Sequence, residues 1–304
     1  MTDLPARVSI REVGPRDGLQ NEDPVSTEAK IELIDRLSAT GVQRIEAVSF
    51  VRPEAIPQMA DASEVWAGIV RAPSVRYSAL VPNSRGAGRA LAAGVAELEA
   101  VVSASDTHNR KNVNRGTSES LDDIAAIIDQ AHRSGATCQV VVATAWGCPF
   151  EGDVPVERVV WAAGRAVADG ADAISFGDTT GMATPGRVAS LVGEFRSAYP
   201  DVPLNLHFHN TRGVGLANVL TALGLGVADF DASVGGLGGC PYAPGATGNI
   251  ATEELIHMVE DMGVDTGIDL EAMIEAAADA ERVIGRQLPS QVLRAGPRTR
   301  TIPA

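Results

Sequence analysis

Apolar, β-branched stretches of seven to nine residues recur along the chain at 8–14, 44–50, 76–82, 97–105, 139–146, 173–180, 204–210 and 230–236. Between them the apolar positions change to helical spacing, as in Ile31, Ile34 and Leu37, in Leu121, Ile124, Ile127 and Ile128, and in Val156, Val159, Val160, Ala163 and Val167. Thr27 and Ser118 stand in front of two such runs as candidate N-caps, and Pro185 suits the first turn of the helix after the sixth strand. Strands that alternate with helices must pair in parallel, because each crossover returns the chain to the same end of the sheet. Eight units without a break in composition predict a closed (β/α)8 TIM barrel over 8–263, with an open doubly wound sheet as the competing arrangement. Residues 252–263 read as the closing helix. Residues 264–304 form a short C-terminal extension, with a helix near 270–284 and a Pro- and Arg-containing tail, and the whole chain reads as a single domain.

With 304 residues, 45% of them hydrophobic and 21% charged, the composition is that of a globular protein with a sizeable core. The 25 basic residues against 39 acidic ones give a net charge of −14, which argues against nucleic-acid binding, since that needs a basic footprint. An anionic small substrate stays compatible with that charge, because the local field of a pocket can oppose the net value. The opening MTDLPARVSI lacks a basic and then apolar leader, no apolar run approaches the roughly 20 residues of a membrane span, and the three cysteines are too scattered for a disulfide framework. A cytoplasmic setting follows.

Barrel enzymes carry their reactive groups where strands run into the following loops. The unusual polar residues of this chain fall there: Arg16, Asp17 and Gln20 after strand one, Glu46 and Ser49 on strand two, Asn83, Ser105, Asp178 and Thr179 at the ends of strands three, four and six, and His207 and His209 on strand seven. In Leu204-Asn205-Leu206-His207-Phe208-His209, strand alternation sends the imidazoles to one face and Leu206 and Phe208 to the other. Two inward histidines with Asp17 make an N2O donor set suited to Mg2+, Mn2+ or Zn2+. Residues 235–242 hold four glycines in five positions ahead of Cys240, a loop able to adopt positive φ and move over a pocket; its cysteine is either a proton-exchanging thiol or an inert turn residue. Arg16 beside Asp17 is either an electrophilic stabiliser or half of a structural ion pair. Glu46 and Asp178 are either acids that orient a ligand or buried carboxylates satisfied by backbone amides. Cys138 and Cys148 read as packing residues.

At these residues the sequence resembles the 3-hydroxy-3-methylglutaryl-CoA lyase family, within the metal-dependent barrel lyases that carry an Arg-Asp motif on strand one. The resemblance covers roughly 8–285 and includes Glu12-Val13-Gly14-Pro15-Arg16-Asp17-Gly18-Leu19-Gln20-Asn21-Glu22, Ile45-Glu46-Ala47-Val48-Ser49-Phe50, Lys111-Asn112-Val113-Asn114, Gly147-Cys148-Pro149, the loop ending Gly239-Cys240-Pro241-Tyr242, and Gly245-Ala246-Thr247-Gly248-Asn249. It implies a divalent metal, Mg2+ or Mn2+, on Asp17, His207, His209 and Asn249. It also implies Arg16 as electrophilic stabiliser, Cys240 as the loop thiol, and Glu46 and Asp178 as active-site acids. An acyl-CoA substrate follows, with Gln20, Ser49, Asn83, Ser105, Arg110, Lys111, Thr179 and Arg212 as candidate contacts to it, and a homodimer as the assembly. Arg110, Lys111 and Arg115 are either the bases that meet CoA or a solvated charge run. Condensing relatives share the Arg-Asp and His-x-His elements and lack the cysteine-bearing glycine loop, so cleavage to acetyl-CoA and acetoacetate is the implied direction.

The chain departs from the family at His207-Phe208-His209-Asn210-Thr211-Arg212-Gly213, where relatives usually read His-Cys-His-Asp-Thr-Tyr-Gly. The ligands survive, while Arg212 at the rim opens the acyl portion of the substrate to alternatives such as citramalyl-CoA or a 3-hydroxy acid cleaved by aldolase-type chemistry. A barrel that only binds is the remaining alternative, and it gives no reason for the ligands, Arg16 and Cys240 to occur together.

Overall fold

In the computed structural model of this protein, residues 4–239 and 247–301 are described. Eight strands close into one parallel barrel: β1 (Ser9–Glu12), β2 (Arg44–Ser49), β3 (Arg76–Val81), β4 (Glu97–Ser103), β5 (Thr137–Ala143), β6 (Ala173–Gly177), β7 (Leu204–His207) and β8 (Asp229–Ala232). Closure rests on β1 pairing with β8 in the register Ile10↔Phe230 and Arg11↔Asp231, which excludes the open sheet. One side of each strand supplies Ile10, Ile45, Ala79, Leu98, Val140, Ile174, Leu206 and Phe230, all fully buried, to the layer packed against the helices. The helix Leu270–Ile284 joins that same core through Met273, Ala276 and Ala277, so the extension is packed onto the barrel.

The other side of the strands is polar, which is unusual for a lumen that branched apolar residues generally fill. Arg11, Glu46, Glu99, Ser175, Asn205 and Asp231 are all buried there. Arg11 forks onto Asp231 of β8 at 2.8 Å through both Nε and Nη2, and pairs across the barrel with Glu99 of β4. Removing one partner from a buried ionic set of this kind costs about 3–5 kcal/mol. The set therefore ties β1, β4 and β8 into one register.

Helix starts differ in detail from the sequence expectation. Ser26 caps the helix Thr27–Ser38 by accepting the amide of Ala29 at 3.2 Å, because Thr27 directs its hydroxyl to Asp61 instead. Gly116 rather than Ser118 precedes the helix Thr117–Arg133; a Cβ there would sit 3.0 Å from Arg110 and Asp106, and the Gly116 amide donates to Glu119 at 2.7 Å. Pro185 begins the helix Pro185–Ala198 as expected. A separate helix, Asp106–Val113, follows β4, and the tail contains a short one at Gln291–Ala295. No helix among the described residues is long and apolar enough to cross a membrane.

Candidate active site

The chain leaves β1 through a π-helical turn at Gly14–Gly18 in which the amides of Arg16, Asp17 and Gly18 all converge on the Val13 carbonyl. Such turns are rare and recur at functional sites. Gly14 is required there: a Cβ would lie 2.7 Å from Glu12 Oε1 and 2.9 Å from Val234. The turn directs Arg16 and Asp17 over the barrel mouth, where the Arg16 guanidinium donates to Asp17 Oδ1 and to Glu46 Oε2 of β2, each at 2.6 Å. Gln20 donates to the same Asp17 oxygen at 2.9 Å.

His207 ends β7 and His209 lies just beyond it. Their rings are 5.1 Å apart on the lumen side, and the neighbours Leu206 and Phe208 are buried on the other, as alternation requires. Both Nε2 atoms lie 4.0 Å from Asp17 Oδ2, and one donor atom from each of Asp17, His207 and His209 falls within 4.8 Å of the others. Asn249 arrives from elsewhere. Its segment runs antiparallel beside His209, with the Asn210 amide donating to Gly248 O at 2.6 Å and the Ile250 amide to Phe208 O at 3.3 Å. This sets Asn249 Nδ2 2.9 Å from Asp17 Oδ2. Gly238, at φ +122°, lets the glycine segment pass, since a Cβ there would meet Asn249 Nδ2 at 2.8 Å.

The electrostatics fit a cation held by these four residues. Burial would raise the Asp17 carboxyl, yet the Arg16 charge and both histidines pull it down to about 2, so it is an anion at any working pH. Burial and the neighbouring His207 charge push His209 down to about 3, leaving a neutral imidazole with a free lone pair. His209 Nδ1 and Asn249 Oδ1 are buried and have no hydrogen-bond partner among the described residues. An acceptor oxygen and a neutral imidazole beside a permanent carboxylate are the hard and borderline donors that a divalent cation accepts.

Asp178 is satisfied by backbone amides at one oxygen only. Its Oδ1 accepts the amides of Met182 and Ala183 at 2.7 and 3.0 Å, while Oδ2 is buried without a partner among the described residues. Burial outweighs those amides and pushes the carboxyl up to about 6. Burial likewise raises Glu46 against the pull of Arg16.

The remaining candidates divide. Asn83 and Ser105 serve as N-caps, accepting the amides of Gly86 at 3.0 Å and His108 at 3.1 Å, and Ser105 also donates to Cys148 Sγ at 2.9 Å. Thr179 accepts the amide of Thr144, a β-branched residue held at φ +56°. Ser49 Oγ lies 3.5 Å from Leu80 O. Arg212 donates through Nη1 to the carbonyls of Thr180 and Gly181 and so braces the loop that carries Asp178. Arg110 pairs with Asp106, and Arg115 with Asp123. The Lys111 ammonium lies 4.9 Å from the Phe150 ring centroid. Cys138 and Cys148 are buried, as expected for packing residues, and burial pushes the Cys138 thiol up to about 12. Cys240 lies outside the described residues.

Residues the sequence expectation missed sit directly beneath the site. Glu12 accepts the amides of Gly14 and Val234 and the hydroxyl of Thr252, and so ties the Arg-Asp turn to the base of the glycine loop. Glu253 accepts the amide of Gly235 in that same loop. Asp231 accepts from Arg11 and Asn205 and lies against His207. For Glu12 and Asp231 the one visible signal was charge at strand positions that alternate with apolar residues; Glu253, in the first turn of the helix Thr252–Asp261, had none.

A family model described as HMGL-like matches residues 7–279. The hydroxymethylglutaryl-CoA lyase of Bacillus subtilis is 46% identical over 291 residues, which is 95% of this chain and 97% of that protein. The (R)-citramalyl-CoA lyase of Chloroflexus aurantiacus is 45% identical over 301 residues, 95% of each. The solved structure of an HMG-CoA lyase from Acinetobacter baumannii, in complex with coenzyme A and 3-methylmalate, superposes with a TM-score of 0.94 at 44% identity and 100% coverage of both chains.

Proposed function

The chain belongs to the HMGL-like family and is a carbon–carbon lyase, and from that premise we propose that it cleaves 3-hydroxy-3-methylglutaryl-CoA to acetyl-CoA and acetoacetate. The observation that carries this reading is the convergence of Asp17, His207 and His209 within 4.8 Å, beside a guanidinium already held by two carboxylates. A divalent cation, Mg2+ or Mn2+, on Asp17, His207, His209 and Asn249 would supply Lewis acidity and lower the pKa of the substrate's C3 hydroxyl.

The residues of the chain then move the protons and hold the charge. Asp178 Oδ2 is the free, buried acceptor we assign to the C3 hydroxyl proton, taken directly or through one water. As the C3 oxygen becomes a ketone, the C2–C3 bond breaks and its electron pair passes into the thioester. Arg16 stabilises the resulting enolate oxygen, because its orientation is set before any charge develops. Cys240 is assigned the return proton to C2, which completes acetyl-CoA while acetoacetate leaves. Solvent then removes the proton from Asp178 and restores the thiol. Of the bases beyond β4, Arg110 and Arg115 are engaged by acids, so Lys111 is the one we assign to the CoA phosphates.

A second reading, cleavage of citramalyl-CoA, is favoured by the 45% identity to the Chloroflexus enzyme and by Arg212 at the rim. Acetyl-CoA release from a panel of branched 3-hydroxyacyl-CoA thioesters, with and without Mg2+ or Mn2+, tests both. Metal-dependent release is expected, fastest from 3-hydroxy-3-methylglutaryl-CoA; faster citramalyl-CoA turnover would move the assignment, and no release from any thioester would overturn the lyase. Homodimeric assembly and a cytoplasmic setting belong to the same proposal, and light scattering on the purified protein checks the first.

A further inference from the structure

The two histidines of the site are not equivalent. His207 Nδ1 lies 3.2 Å from Asp231 Oδ2, whereas His209 Nδ1 is buried with no hydrogen-bond partner among the described residues. We propose that Asp231 is a positioning residue that fixes His207 in the tautomer protonated at Nδ1, so that Nε2 keeps its lone pair for a cation shared with Asp17, while His209 is the unbraced member of the pair. The inference rests on the metal reading of Asp17, His207 and His209.

Asp231 can impose a tautomer because it is itself immobilised and can only accept. Arg11 Nε and Nη2 donate to its two oxygens at 2.8 Å each, and Asn205 Nδ2 donates to Oδ1 at 3.0 Å. Asp231 is 4% exposed and Arg11 2%, so water does not compete for these oxygens. The permanent guanidinium charge beside it keeps the carboxylate ionised and without a proton to give. The atom opposite it on His207 must then be an N–H. The members come from four strands: Arg11 from β1, Asn205 and His207 from β7, Asp231 from β8, and Ser175 from β6, which accepts the second Asn205 proton at 2.9 Å. The register Arg11↔Asp231 and His207↔Asp231 places these side chains at one level of the lumen, directly beneath the cluster. A carboxylate behind a metal-bound histidine sets ring orientation and ligand basicity, and its loss weakens metal affinity by about 10–100-fold. His209 has no such brace among the described residues.

The test uses the full chain stripped of metal by chelation. Imidazole 15N NMR of the wild-type protein, at a pH high enough to leave His207 neutral, should show its ring protonated at Nδ1 with an unprotonated Nε2; a neutral His207 protonated at Nε2 overturns the proposal, and this measurement needs no variant. Mn2+ titration followed by electron paramagnetic resonance should give Asp231→Asn a dissociation constant raised about 10–100-fold, since an amide can turn its NH2 toward Nδ1 and support the opposite tautomer. Its His207 resonances should move while those of His209 stay. Asn205→Ala, which leaves the Arg11 fork in place, should weaken Mn2+ less than Asp231→Asn does. Mn2+ binding to Asp231→Asn within about twofold of wild type, against the 10–100-fold expected for such a brace, overturns the assignment of Asp231 alone. Failure of the wild-type protein to bind Mn2+ overturns the metal reading beneath it, a different result.

Discussion

Arg16 links Asp17 and Glu46 through separate nitrogens, Nη1 to Asp17 Oδ1 and Nη2 to Glu46 Oε2, each at 2.6 Å. Asp17 belongs to the cluster with His207 and His209, and Glu46 comes from the neighbouring strand, so the guanidinium plane is set by both the cluster and the barrel wall. Lysine keeps the charge and cannot reproduce the fork. Arg16→Lys should therefore lower kcat by about 10²–10³-fold, the scale of losing one preorganised donor to a developing oxyanion. Mn2+ affinity should change little. Steady-state kinetics with a parallel Mn2+ titration checks this, and equal losses in both would return Arg16 to a structural ion pair.

Asp178 predicts an acid limb. Burial raises its carboxyl to about 6, and only the ionised form can accept a proton. Turnover should rise with pH through about 6 and then level off. Asp178→Asn should lower kcat by about 10²–10⁴-fold and remove that limb. A pH profile of the variant that keeps the limb would assign the base elsewhere.

Cys240 and the metal should be separable. Cys240→Ser should reduce turnover by orders of magnitude while Mn2+ binds as in the wild type. Chelation of the wild-type protein should abolish acetyl-CoA release, and added Mg2+ or Mn2+ should restore it. Near-normal kcat in Cys240→Ser would remove the thiol from the proton-transfer step.

Glu253 predicts a stability change with pH. Burial pushes it up from 4.5 to about 7, so the folded chain holds this proton more tightly than the unfolded chain does. Stability then falls as pH rises from about 4.5 to about 7, by up to roughly 3 kcal/mol for this one group. Glu253→Gln escapes that penalty. Its Tm relative to wild type should climb across this interval and stay level above it, a trend that differential scanning fluorimetry reads directly. A constant difference from pH 5 to 8 would show that Glu253 does not titrate there.

Local patterning made much of this molecule legible. The helix at Leu270–Ile284 lies where its apolar spacing put it, and Pro185 starts a helix because its fixed φ suits a first turn. Strand alternation alone turned His207 and His209 to one face. The less accurate points were those in which a neighbour in space competes with a neighbour in sequence. Thr27 gave up capping because Asp61, 34 residues further along the chain, was within reach of its hydroxyl.

The sequence by itself determined the periods of strand and helix, the inward direction of the two imidazoles and the Arg-Asp turn after strand one, because side-chain direction repeats every two or 3.6 residues. Only the tertiary structure decided that Asn249 lies beside Asp17, that Glu46 steadies Arg16, and that Arg11 and Asp231, 220 residues apart, meet behind His207. These pairings depend on the register in which β1 closes on β8 and on the course of the segment beside His209. Closure is a property of the whole barrel, and no local period encodes which charge will stand opposite which.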